Sequence, residues 1–242
     1  MDAFDDFRRG WRGIGSGMAH LLRQRLVCYG GLPVLTGVAA GEEQTMANQG
    51  QNRSFGLEGL SAAAQAAAVR GAGAAEWNPP FCGDLDIRIK TDGSWHYLGS
   101  PLGRPAMVRL FSTLLRREGE RYFLVTPVEK VGIQVDDAPF LAVEMVTEGD
   151  ADARSLRFRT NVDDWVNCDC SHPLRFEAVA SGGLAPYLHV GRGLWAKVTR
   201  ALWYDLVELG EERRIAGQEM FGIASRGAFF PMSPAQEMRA AG

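Results

Sequence analysis

A stretch that occurs twice constrains this chain more than any other feature. The first copy reads Ile87-Arg-Ile-Lys-Thr-Asp-Gly-Ser-Trp95 and is followed by Ser100-Pro101-Leu102. The second, about seventy residues on, reads Leu156-Arg-Phe-Arg-Thr-Asn-Val-Asp-Asp-Trp165 and is followed by His172-Pro173-Leu174. Each copy alternates apolar with basic residues, passes through a polar turn, and then places a tryptophan and a proline. Alternation with period two marks a strand buried on one face. Asp92-Gly93 suits a tight hairpin turn, because glycine accepts positive φ without steric cost. Recurrence at a fixed spacing predicts one plan used twice. The expected fold is α+β: two similar strand–helix–strand modules with antiparallel sheets, preceded by an Ala-rich helix.

At 242 residues the chain is long enough for one large core or two small ones. Residues 1–56 are rich in Gly, Arg and Gln with little periodicity, and are expected to form a poorly ordered leader. Within them Arg23 and Arg25 precede an apolar run from Leu26 to Ala40 that ends in small residues, the outline of a signal peptide. Gly30, Gly31, Pro33 and Gly37 interrupt that run. Met46 is an alternative start, which would leave residues 1–45 outside the native protein. Residues 57–75 are expected to hold a helix with Leu57, Leu60, Ala64 and Ala67 on one face, stopped at Gly71 and Gly73. The first module is placed at 76–149, the second at 150–232, and a frayed tail at 233–242.

Within the first module, Pro105 opens a helix with the stripe Met107, Leu110, Phe111, Leu114 and Leu115. Strands are expected at Arg121–Val125, Glu129–Val135 and Phe140–Thr147. In the second, strands at Trp165–Cys168, Leu174–Ala178 and Tyr187–Val190 lead to another long helix. Its stripe is Leu194, Trp195, Val198, Leu202, Leu206 and Leu209, and a hairpin at Met220–Ala224 and Ala228–Phe230 closes the fold.

Several function classes are disfavoured. A net charge of −3 argues against coating nucleic acid, and no apolar run is long enough to cross a bilayer. Four irregularly spaced cysteines do not make a secreted disulfide framework, so a cytoplasmic location is expected. There is no Rossmann glycine fingerprint, P-loop or Gly-x-Ser-x-Gly elbow. Cys168, Cys170 and His172 alternate along one segment, yet no Cys-x-x-Cys pair completes a zinc set. No metal or cofactor is expected.

Five residues stand out as a ligand-binding set. Glu129 shares strand parity with Val131, Ile133 and Val135, so it should face the core and need a cationic partner. Arg104 is the first candidate for that partner, with Lys130 on the opposite face. Gly103-Arg104-Pro105 and Gly191-Arg192-Gly193 are each read as opening a long helix, where unpaired N–H groups and an arginine together suit an anion. Glu129 alone also fits a structural ion pair, and His172 before Pro173 also fits a simple turn. Arg109, Arg116, Arg117 and Arg121, interleaved with Glu118 and Glu120, read as a solvated face.

The chain resembles a known family at Trp77-Asn-Pro-Pro80, Gly83-Asp-Leu-Asp86, Asp92-Gly-Ser-Trp95, Leu110-Phe111 and Thr126-Pro-Val-Glu-Lys130. The likeness continues at Asp137-Ala-Pro139, Thr160-Asn161, His172-Pro-Leu174 and Pro186-Tyr187. These segments are similar to proteobacterial proteins of the domain of unknown function 1285. The resemblance implies an α+β fold with repeated modules, no established enzymatic activity, and a role in signal transduction or ligand sensing. The expectation is a non-catalytic module for a small anionic ligand or a protein partner, with Arg104, Glu129, Lys130, His172 and Arg192 around a pocket between the modules. Neither nucleic acid nor membrane is an expected partner. The alternatives are a small hydrolase or transferase using Glu129 and His172 as acid and base, and a structural adaptor that dimerises through an exposed sheet edge or the arginine face.

Overall fold

The computed structural model describes residues 57–69, 77–149, 153–180 and 182–241. The expected leader, the signal-like run, Met46 and the helix stop at Gly71 and Gly73 lie outside them. A first helix, α1 (Leu57–Val69), precedes a six-stranded sheet made of β1 (Phe81–Ile89), β2 (Trp95–Tyr97), β3 (Ser100–Pro101), β4 (Leu115–Glu118), β5 (Arg121–Val125) and β6 (Lys130–Val135). Helix α2 (Pro105–Leu114) lies between β3 and β4 in sequence. A second six-stranded sheet holds β7 (Phe140–Glu148), β8 (Ser155–Thr160), β9 (Trp165–Cys168), β10 (Leu174–Ala178), β11 (Leu184–Gly191) and β12 (Leu194–Val198). Helix α3 (Arg200–Glu208), a three-stranded sheet of β13 (Glu211–Ile215), β14 (Gln218–Ser225) and β15 (Ala228–Pro234), and α4 (Ala235–Ala241) complete the chain.

The two large sheets share a topology. Their strand orders are β3-β2-β1-β6-β5-β4 and, read from its other edge, β9-β8-β7-β12-β11-β10. Each is two three-stranded meanders laid side by side, so the first strand of one lies beside the last strand of the next. Those two run the same way: β1 pairs with β6 in parallel, and β12 with β7. The sheets are therefore mixed, not antiparallel as the sequence suggested. A non-local parallel pair leaves no turn signal between its strands, and hairpin reasoning cannot see it.

The recurrent sequence does form matching hairpins, β1–β2 and β8–β9. Gly93 N–H bonds Lys90 O and Lys90 N–H bonds Ser94 O; Asp163 and Thr160 repeat this with Thr160 and Asp164. Gly93 and Asp163 both have positive φ. The second copy carries one more residue before its turn, however, and a one-residue shift moves every side chain to the other face. Ile87, Ile89 and Trp95 are thus buried, Trp95 to 2% exposure. In the second copy Leu156 and Phe158 are buried while Trp165 is 42% exposed, with Arg157 over its ring. The hairpins also occupy different places: topology equates β1–β2 with β7–β8. The doubling is real in the sheets, but the similar words do not mark equivalent strands.

The expected second helix divides. Leu194–Val198 is strand β12, alternating buried and half-buried residues, and the helix begins only at Arg200. The Leu194–Val198–Leu202–Leu206 spacing fits a helix, but Leu194, Ala196 and Val198 fit a strand equally well. Gly191, Arg192 and Gly193, all with positive φ, settle the choice as a hairpin turn. Leu115, read as helical, starts β4, and the tail forms the end of β15 and α4. The break between sheets falls between Val135 and Phe140, ahead of the 149/150 division, because β7 belongs to the second sheet.

The linker is pinned at both ends. Asp136 pairs with Arg88 of the first sheet at 2.6 Å; Asp137 pairs with Lys197 of the second at 2.5 Å and accepts the Tyr187 hydroxyl. Asn161 joins the two similar turns: Leu141 N–H donates to its Oδ1, and its Nδ2 donates to Gly93 O. The third sheet is stitched on by Ser225, whose hydroxyl accepts Leu156 N–H and donates to Cys168 O. It therefore bridges the last rung of the β8–β9 ladder.

Candidate functional site

The edge strands of the second sheet, β9 and β10, come together at a single turn in which Asp169 and His172 exchange main-chain hydrogen bonds. Pairing goes no further, because β10 starts at Leu174 and runs alongside β11. The interior is filled by Ala142, Leu156, Phe158, Cys168, Leu188, Leu194 and Ala196, all buried. Beside the turn the seam opens into a cleft of about 390 Å³.

Phe140, Thr160 and Val162 form its buried part, while β9 supplies Trp165, Val166 and Asn167 along one side. Asp164, Asp169, His172, Val190 and Arg192 complete the lining. Thr160 is committed to the hairpin, its hydroxyl accepting from Val162 and Asp164 N–H. Asp169 accepts N–H bonds from Ser171 and His172 and faces the His172 ring at 3.6 Å. Burial is the largest influence on its carboxyl and acts upward, but the two N–H donors and His172 together hold it below the usual aspartate range. The Asp164 carboxylate makes no ion pair among the described residues. Trp165 and Val190 add apolar surface, so groups of both charges converge around a partly apolar floor.

Arg192 sits in the exposed β11–β12 turn, with its guanidinium donating to Thr113 O and Ser112 O at the carboxyl end of α2. A cation suits that end, where carbonyls are left over and the helix dipole is negative. Desolvation against α2 holds its pKa below the usual arginine value, and Asp164 acts the other way. Arg104 is at the opposite end of α2: it is the extended residue before Pro105, with no side-chain cap bond. It lines a separate groove with Leu57, Glu58 and Gln65. The two arginines therefore do not share an anion pocket, because only one of them precedes a helix.

Glu129 faces the core as parity predicted and is 4% exposed, but Arg104 is not its partner. Its Oε2 lacks a hydrogen-bond partner, and burial alone raises its pKa. Lys130, on the other face, pairs with Glu118 at 3.0 Å and lies over the Phe123 ring. Neither lines the cleft. Of the five residues singled out, the structure brings together His172 and Arg192, leaving Arg104 in another groove, Glu129 in the turn between β5 and β6, and Lys130 at the start of β6. His172 lines the cleft and Glu129 does not.

The sequence reading missed Asp164, Trp165 and Asp169 as cleft residues. Their signal was present: a turn of two aspartates before a tryptophan on the edge strand. The segments carrying the family resemblance do meet elsewhere. Lys130 N–H bonds Pro80 O, Arg116 donates to Trp77 O, and Thr126 receives Glu129 N–H on its hydroxyl. The expected solvated arginine face is dispersed into pairs: Arg109 with Asp163, Arg117 with Glu120, and Arg121 with Asp84. Among the described residues no three His, Cys, Asp or Glu side chains converge to hold a metal. No described helix is long and apolar enough to cross a membrane.

Residues 73–138 match the N-terminal domain of DUF1285, a domain of unknown function, and residues 139–232 match the C-terminal domain of that protein of unknown function. A crystal structure of a DUF1285 family protein from Silicibacter pomeroyi DSS-3 is 47% identical, with a TM-score of 0.68. The match covers 74% of this chain and 97% of that one. A DUF1285 family protein from Shewanella baltica OS155 is 31% identical over 51% of this chain and 91% of its own, with a TM-score of 0.42. No curated protein matches the sequence.

Proposed function

The chain belongs to the DUF1285 family, and we propose that it is a non-catalytic binding module whose site is the cleft at the seam of the second sheet. One observation carries this reading: Asp164, Asp169, His172 and Arg192 converge on a partly apolar recess beside the exposed Trp165 ring. A concave site with a few placed polar groups is what ligand recognition uses. Binding is favoured over catalysis because the cleft's imidazole faces the Asp169 carboxylate, and among the described lining residues the Thr160 hydroxyl is already committed to the hairpin. The adjacent Cys168 thiol is buried, and desolvation pushes it up to about 12. A thiol held protonated is a poor nucleophile.

The proposed setting is the cytoplasm, in signalling or regulation. Cys82, Cys168 and Cys170 are free thiols, as a reducing compartment allows. Thermal-shift screening with organic acids, amines, nucleotides and short peptides tests the site. At least one probe class should raise the melting temperature, and Asp164→Ala with His172→Ala should abolish that rise. Shifts that survive the double substitution, or none with any class, would refute it.

A further inference from the structure

The main chain of β9 points an unfinished edge into this cleft. Thr160 N–H bonds Asp164 O, and Ser225 bridges Leu156 N–H to Cys168 O. The register between them pairs Phe158 with Val166 and Arg157 with Asn167. In an antiparallel ladder, bonding and non-bonding pairs alternate. Asp164, Val166 and Cys168 therefore direct their main-chain groups toward β8, and Trp165, Asn167 and Asp169 direct theirs away. Asp169 obeys this rule, since its N–H and C=O are taken by His172 across the seam. Among the described residues Trp165 and Asn167 have no such neighbour, because β10 pairs with β11. Two residues of strand edge are left facing a recess instead of another strand.

Resting on the cleft as the binding site, we propose that it takes an extended peptide bearing a basic side chain, which adds a strand to β9 at Trp165 and Asn167. Edge addition draws affinity from main-chain bonds and selectivity from the side-chain environment. Here that environment favours a cation. Asp164 and Asp169 line the recess and Asn167 adds a carbonyl acceptor; of the nearby arginines, Arg192 of the lining is already committed to the carbonyls of α2, and Arg157 is stacked on the Trp165 ring. A lysine or arginine projecting from the added strand meets Asp164, which has no ion pair of its own among the described residues.

The test uses the full chain and a fluorescein-labelled acetyl-Val-Lys-Val-Lys-Val amide followed by polarisation. Three further versions are an N-methylated peptide, a lysine-to-glutamate peptide, and Asp164→Asn protein with the parent peptide. The parent peptide should bind and slow amide exchange at Trp165 and Asn167. Methylating the amides that face β9 should weaken binding about tenfold, since each removes a main-chain bond and leaves an acceptor unpaired. The glutamate version and Asp164→Asn should each weaken it by about the same factor or more.

Equal affinity for the methylated peptide, or unchanged exchange at Trp165 and Asn167, overturns the added strand. If small metabolites stabilise the protein through the cleft while no peptide binds, the inference fails and the binding module stands. If no probe of either kind engages the cleft, both fail. Concentration-dependent protection of the two amides without peptide would assign the edge to a second copy, which also overturns the proposal.

Discussion

Gly93 and Gly99 offer a matched pair for measuring how firmly the two halves are joined. Their φ angles are +77° and +76°, so an alanine meets the same left-handed penalty at either, about 1–2 kcal/mol. A smaller gain from reduced freedom of the unfolded chain offsets part of it. Around Gly99 a new Cβ would meet nothing within 4 Å. At Gly93 it would lie 2.7 Å from Asn161 Nδ2 and 3.1 Å from Leu141 Cδ1. Asn161 cannot simply withdraw, because its Oδ1 accepts Leu141 N–H at 3.0 Å and its main-chain N–H bonds Leu141 O. Relieving such a clash costs a further ~1–3 kcal/mol. Gly99→Ala should therefore destabilise by about 1 kcal/mol, and Gly93→Ala by about 2–4 kcal/mol. At roughly 2–4 °C per kcal/mol for a folded region of this size, calorimetry should place the two melting temperatures several degrees apart. Equal destabilisation would mean that the two turns are not packed together, and the junction through Asn161 would be wrong.

Other expectations rest on single side chains. Burial raises the Glu129 carboxyl, so the native state holds a proton that the unfolded chain releases above its ordinary value near 4.5. Stability from this group is full below that value and is lost as pH rises through the folded pKa. Urea midpoints measured from pH 4 to 8 should decline more steeply for wild type than for Glu129→Gln, and parallel curves would contradict the assignment. Native alkylation should modify the exposed Cys82 and Cys170 and spare Cys168 until denaturant is added; mass spectrometry of the labelled peptides decides it. Phe158→Ala, at a fully buried position of the second sheet, should cost about 3–5 kcal/mol in chemical denaturation. A loss under 1 kcal/mol would show that this interior is not the close-packed core described.

Local chemistry was readable from the sequence and non-local closure was not. Asp92-Gly93 fixed its turn, Pro105 fixed the start of α2, and the strands expected at Arg121–Val125 and Leu174–Ala178 have the observed bounds. The parallel pairs β1–β6 and β7–β12 involve residues tens of positions apart and have no comparable signature. Leu194 to Leu206 shows the ambiguity of a short apolar run, whose spacing satisfies both periods until the Gly-Arg-Gly turn is recognised as a hairpin. The candidate site was half visible for the same reason. His172 was picked out beside a turn, whereas Arg192 was picked out for a helix opening that the structure replaces with a hairpin turn. That they share a recess with Asp164 and Trp165 depends on the seam, which arises only where the edge strands of a six-stranded sheet come together.

Ser225 lends its hydroxyl to complete a rung between residues that precede it by 69 and 57 positions. During synthesis, the β8–β9 end of that ladder leaves the ribosome with its Leu156 amide and Cys168 carbonyl still uncommitted. They remain so until the closing hairpin has been translated. A chain that stalls before Ser225 therefore lacks the hydroxyl that joins this rung to the closing hairpin.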